Sequence, residues 1–224
     1  MDAAHTAQRR GTFFRSGQEP LRGVMAGGGD GKGVLRARLA ALRRALPPAE
    51  VRERGARAQG RLLQLPGFAR ARTVALYAAL AGEVPTDALL DAALAAGKTV
   101  CFPVVPREGR VLTFRSVRAL SELVPAGRLG IREPTGSSPA VPLGSIELFV
   151  VPGVGFGRDG QRLGQGGGYY DATLAAASPA SVRVGLAFRE QVLDALPVEA
   201  GDVPVDQVVT DEATFQGRGR GQVW

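Results

Sequence analysis

The chain has 224 residues, 45% hydrophobic and 22% charged; that is enough for one sizeable core, and it fits neither a disordered segment nor a fibre. A single cysteine, Cys101, excludes a disulfide framework and a thiolate metal cluster, and the single histidine, His5, lies in a leading segment with no hydrophobic period, which removes Ser–His, Cys–His and histidine–metal mechanisms. The net charge of +7 is local, with eleven Lys and Arg against Glu50 and Glu53 over 32–72, and thirteen basic against sixteen acidic residues from 73 onward; the basic stretch suits a nucleotide, a nucleic acid or a membrane surface, or is simply the solvated face of helices.

Residues 1–31 read as a tail, with a Gly-rich stretch at 26–31 and an alternative start at Met25. No run of 18 apolar residues occurs and the first thirty residues lack an apolar h-region, so the expectation is a cytoplasmic protein without a membrane span. Leu35, Leu39, Leu42 and Leu46 recur at helical spacing until Pro47-Pro48, predicting one amphipathic helix. A second is predicted over 49–65, ended by Pro66-Gly67. A short β-prone run at 73–77, a helix over 85–96 and an apolar run at 99–103 then give the rhythm of a βαβ unit. Further strands are predicted at 111–115, 147–151, 182–188 and 205–209, with helices at 169–177 and around 190–195. The stretch 127–144, rich in Gly, Pro and Ser, reads as a long loop. Continuous apolar runs such as Leu148-Phe149-Val150-Val151 suggest strands covered on both faces. The predicted fold is therefore α/β, a three-layer Rossmann-like sandwich with a mainly parallel central sheet. One domain is expected over 32–212, and 213–224 as a C-terminal tail.

The most informative segment joins that buried strand to Pro152-Gly153-Val154-Gly155-Phe156 and then to Arg162-Leu163-Gly164-Gln165-Gly166-Gly167-Gly168-Tyr169-Tyr170-Asp171. Glycines at 164, 166, 167 and 168 let successive backbone N–H groups converge on an anion ahead of a helix N-terminus near Tyr169, which is how a phosphate is cradled. The spacing is neither the dinucleotide G-x-G-x-x-G nor a Walker loop. Two tyrosines and a carboxylate at the mouth of the loop add chemistry to what could otherwise be a flexible turn.

This run resembles the signature of the 5-formyltetrahydrofolate cyclo-ligase family. Three other segments resemble it in order: Lys32-Gly33-Val34-Leu35-Arg36, similar to a K-x-x-L-R helix start; 77–86 with Glu83; and 201–210 with Asp202. The resemblance covers about 32–212 and implies a three-layer fold of the CoA-transferase-like kind. It implies that Lys32 and Arg36 bind ATP phosphates together with Arg162, Leu163, Gly164, Gln165, Gly166, Gly167, Gly168, Tyr169 and Tyr170. It further implies that Asp171 and Asp202 hold magnesium, that Tyr77, Glu83 and Tyr170 face a folate, and that Tyr170 and Arg162 serve catalysis. The residues suit these roles: Lys32 and Arg36 share a helix face, and two aspartates plus phosphate oxygens are an ordinary magnesium set.

The implied reaction is ATP-dependent cyclisation of 5-formyltetrahydrofolate, with or without a polyglutamate chain, to 5,10-methenyltetrahydrofolate with release of ADP and phosphate. A monomer without nucleic-acid or membrane partners is expected. Departures from the family pattern are Gln165 and Gly167 where some relatives carry basic residues, Gly157 where an aspartate is common, and Ala172 where an arginine often stands. Two alternatives compete: an ATP-binding relative acting on another small molecule, and a non-catalytic RNA-binding relative. Against the second, Phe68 is the one aromatic residue between 32 and 72, too few for base stacking.

Overall fold

The computed structural model describes residues 30–126 and 130–217; the segments 1–29 and 218–224, expected as tails, and 127–129 of the expected loop lie outside them. Helix α1 (Asp30–Arg44) leads through Pro47 into α2 (Pro48–Leu63), and α3 (Pro66–Arg70) follows. Both α2 and α3 open with proline in the first helical positions, where its missing N–H costs nothing. Then come β1 (Thr73–Ala75), α4 (Asp87–Ala95), β2 (Thr99–Val104) and β3 (Thr113–Ser116). Next are a hairpin of β4 (Leu123–Ala126) and β5 (Ile131–Pro134), β6 (Ala140–Val141), and the buried β7 (Leu148–Val151). The chain continues through β8 (Gly155–Gly157), β9 (Arg162–Leu163), α5 (Tyr169–Ala176), β10 (Val182–Leu186), β11 (Val192–Leu193), β12 (Gln207–Val209) and β13 (Thr214–Gln216).

Among the described residues an eight-stranded sheet runs in the order β13-β12-β10-β7-β1-β2-β3-β6. Its central pairs, from β12 through β10, β7 and β1 to β2, are parallel, and β13, β3 and β6 add antiparallel edges. The period of two sorts the strands between two cores. Val74, Leu148 and Val150 pack with Leu62, Phe68, Leu89 and Leu90 of α2, α3 and α4. Ala75, Phe149 and Val151 face the other way, with Leu174 of α5 and Phe156. Helices therefore cover both faces, as the continuous apolar runs predict. A separate small sheet, β11-β8-β9, lies under α1.

Three sequence expectations give way to tertiary hydrogen bonds. The helix expected around 190–195 is a single 3₁₀ turn, Arg189–Gln191, followed by β11. Gln191 is turned inward, where its Nε2 donates to the carbonyls of Gly153 and Val154 at 3.0 and 3.1 Å and its Oε1 accepts from Phe188 N, while Val192 pairs with Phe156. The loop expected over 127–144 contains β5 and β6, recruited by β4 and β3. The sheet also continues past 212: Thr210 Oγ1 accepts from Ala213 N at 2.9 Å, turning the chain so that β13 pairs with β12. Two expected strands are shorter, β1 ending at Ala75 instead of 77 and β10 at Leu186 instead of 188, while the strand expected at 111–115 is shifted to Thr113–Ser116.

Not all the arginines of the basic stretch are solvated. Arg54 of α2 donates through Nε to Asp211 at 2.6 Å and through both Nη atoms to Glu190, and its guanidinium lies 5.3 Å from the Phe188 ring centroid. It ties α2 to the chain just beyond β12. Cys101 is fully buried on β2, and burial pushes its thiol up to about 12, where it stays protonated and unreactive. Native protein at about pH 8 should leave Cys101 unlabelled by a disulfide-exchange reagent, with one equivalent released on unfolding; rapid native labelling would contradict this packing.

Candidate functional site

The inward stripe of α1 carries more than the leucines. Leu35 and Leu39 pack on Val154, Leu163 and Leu196, while Lys32, Arg36 and Arg43 fall on the same side because intervals of four, seven and eleven residues close on whole turns. Leu42, expected in the apolar stripe, is 47% exposed. Arg43 takes the buried position instead.

Lys32 is buried and donates to Asp202 Oδ2 at 2.7 Å, with Glu199 Oε2 at 3.2 Å. Glu199 N also donates to Asp202 Oδ2, at 2.8 Å. Burial pushes the Asp202 carboxyl up, but the Lys32 ammonium, the Glu199 amide and Arg162 outweigh it and hold the group below its ordinary value. Four residues on, Arg36 Nε donates to the carbonyl of Gly164 at 3.0 Å, joining α1 to the glycine loop. That loop follows β9 directly, so the packing of Leu163 under α1 sets its starting point.

Arg162 occupies the centre. Its side chain is 3% exposed; Nη2 donates to Asp171 Oδ1 at 2.8 Å, and the guanidinium lies 5.6 Å from the Tyr170 ring centroid. Asp171 Oδ1 also accepts from Val203 N at 3.2 Å, which brings the α5 carboxylate beside Asp202. The helix cap at Gly168 has no side chain to satisfy the first N–H groups of α5, and Gln165, Gly166 and Gly167 are exposed. Those amides remain available to an anion.

On the far side of Tyr170 sit the residues from the turn after β1. Burial raises the Tyr170 phenol above its ordinary value, with Arg162 opposing and Glu83 and Cys101 adding to the rise. Glu83 is itself raised by burial, against the pull of Arg43 and the Leu80 amide, whose donors lie 2.9 and 3.0 Å from its two oxygens. Tyr77 is 2% exposed and its hydroxyl donates to the Val84 carbonyl at 2.7 Å, while Thr86 Oγ1 donates to the Tyr77 carbonyl at 2.9 Å. Tyr77, expected to face a folate, lies behind the surface here, and its contacts close the turn that presents Glu83.

The expected residues thus form one connected group, running from Lys32 through Asp202, Asp171, Arg162 and Tyr170 to Glu83. The sequence reading missed Arg43, the partner of Glu83, and Glu199, the second carboxylate on Lys32. Arg43 was legible as the next position on the Lys32 face; Glu199 carried no signal.

Among the described residues no group of three or more His, Cys, Asp or Glu side chains could hold a metal ion. A two-aspartate set still suits magnesium, which takes oxygen ligands and completes its shell with phosphate and water. Asp171 and Asp202 each receive their cation on one oxygen, leaving Asp171 Oδ2 and Asp202 Oδ1 outside those contacts.

Residues 29–211 match the model of the 5-formyltetrahydrofolate cyclo-ligase family. The chain is 37% identical over 177 residues to the 5-formyltetrahydrofolate cyclo-ligase of Escherichia coli strain K12, covering 78% of this chain and 97% of that one. It is 34% identical over 185 residues to that of Mycolicibacterium smegmatis, covering 80% and 93%. The solution structure of Aquifex aeolicus 5,10-methenyltetrahydrofolate synthetase superposes with a TM-score of 0.73 at 32% identity, over 86% of this chain and 96% of that one.

The Arg43–Glu83 pair yields a pH-dependent prediction. In Arg43→Leu the buried Glu83 loses its cation, so its pKa rises further; a group with a raised folded-state value contributes stability at low pH and loses it as pH rises. Thermal unfolding should show a small penalty near about pH 4, growing to roughly 3–5 kcal/mol above about pH 7. A penalty that shrinks as pH rises would contradict the pairing.

Proposed function

The chain belongs to the 5-formyltetrahydrofolate cyclo-ligase family, and from that premise we propose that it converts 5-formyltetrahydrofolate to 5,10-methenyltetrahydrofolate at the expense of ATP, with the residues around Arg162 as its active site. The observation that carries the site assignment is the bond from Arg36 to the Gly164 carbonyl, with Lys32 one turn earlier on Asp202. It joins the basic face of α1 to the glycine loop.

In this reaction the formyl oxygen attacks the γ-phosphorus of ATP and ADP leaves; the second folate nitrogen then attacks the activated carbon, and phosphate departs with the former formyl oxygen. Phosphoryl transfer of this kind asks for positioning and charge neutralisation more than for covalent catalysis, which suits a site without histidine. Lys32, Arg36 and the amides of 164–168 would hold the phosphate chain. Arg162, fixed by Asp171, would meet charge developing at the transferred phosphoryl group. Tyr170, kept protonated by its burial, would donate a hydrogen bond to the formyl oxygen or its phosphorylated successor, and Glu83 would accept from the pterin.

A charge count supports magnesium as a further participant. Around the loop, Lys32, Arg36 and Arg162 are matched by Asp171, Glu199 and Asp202, so these side chains alone offer no excess positive charge to a triphosphate. Asp171 and Asp202 would hold the ion, which when bound neutralises phosphate charge and orients the chain.

The test is spectrophotometric, with 5-formyltetrahydrofolate and MgATP: methenyl absorbance and ADP should appear together. Lys32→Ala and Asp171→Ala should each lower turnover on the order of a hundredfold while retaining the native circular dichroism spectrum. Full activity in either folded variant would remove that residue from the site.

A further inference from the structure

Building on the nucleotide site just described, we propose that Arg110, in the loop between β2 and β3, is a phosphate-binding residue that closes the outer side of the glycine loop over ATP. Between Leu163 and Tyr170 the loop carries no charged side chain. Guanidinium groups reach it from outside. Gly166 and Gly168 both adopt positive φ, at 101° and 70°. Each keeps clear a position next to an arginine: Arg36 Cζ lies 3.9 Å from where a Cβ on Gly166 would stand, and Arg110 Nη1 lies 3.4 Å from where one on Gly168 would stand. The two arginines thus approach successive turns of the loop, one from α1 and one from the β2–β3 connection.

The position of Arg110 is anchored. Two residues later Leu112 N donates to Thr173 Oγ1 at 2.9 Å, and that hydroxyl donates to the Tyr169 carbonyl at 2.6 Å. The connection is therefore pinned to the opening turns of α5, whose uncapped N–H groups favour an anion at the same place. Lys32, Arg43, Arg54 and Arg162 each rest on a carboxylate; Arg110 is exposed and has no hydrogen-bond or ion-pair partner among the described residues. It supplies the excess positive charge that the neutralised cluster lacks, in the planar fork that matches phosphate oxygens. It also accounts for a loop with Gln165 and Gly167 at positions where basic side chains would do the same work.

The experiment compares Arg110→Ala and Arg110→Lys with the unaltered full chain. It measures ADP binding in the presence of magnesium by calorimetry, and the KM values for ATP and 5-formyltetrahydrofolate separately. Arg110→Ala should weaken ADP binding and raise the ATP KM about tenfold, with the folate KM and Tm unchanged, and Arg110→Lys should recover part of the loss. Unchanged ADP affinity in Arg110→Ala overturns the proposal. So does a raised folate KM with an unchanged ATP KM, which would put the guanidinium on the substrate's carboxylates. If the unaltered chain bound ADP but formed no methenyl product, the assigned reaction would fail while the ADP comparison still decided the role of Arg110.

Discussion

The apolar seat of α1 on the small β11-β8-β9 sheet governs the rest of the site. Leu35 and Leu39 enter a cluster with Val154, Leu163 and Leu196, and burial of each leucine is worth about 1.5–3 kcal/mol. That contribution offsets the cost of drawing the Lys32 and Arg43 charges out of water on the same stripe, a cost their carboxylate partners reduce further. Because Leu163 belongs both to this cluster and to the root of the glycine loop, one packing contact fixes the helix and the loop relative to each other. The bond from Arg36 to Gly164 then sets their register.

A second constraint is electrostatic. Cations and carboxylates alternate through the site, Lys32 with Asp202, Arg162 with Asp171, Arg43 with Glu83. Such pairing holds long side chains in place before any ligand arrives, which reduces the ordering cost at binding. The consequence is a site that is rigid but close to neutral, so a phosphate chain depends on helix amides, a divalent ion and cations not already paired.

The sheet and the loop were legible in the sequence because they rest on local rules. The run Leu148 to Val151 is buried on both faces, and the glycine-dense segment precedes a helix at Tyr169 as its composition implies. What local rules could not reveal were choices made by distant partners. Gln191 bends its segment out of a helix through the carbonyls of 153 and 154, and β13 exists because β12 offers it an edge. The site residues themselves came from the order of motifs along the chain. The refinements came from geometry: Tyr77 supports Glu83 from behind, and Arg43 replaces Leu42 at the buried position of α1.

The most direct test of the claim that α1 and the glycine loop form one nucleotide site is an amide-resolved NMR titration with ADP and magnesium. The amides of 164–168 and those of the first turns of α1, around Lys32 and Arg36, should shift together and saturate at one concentration. Shifts confined to other parts of the molecule, or loop and helix responding with different affinities, would contradict it.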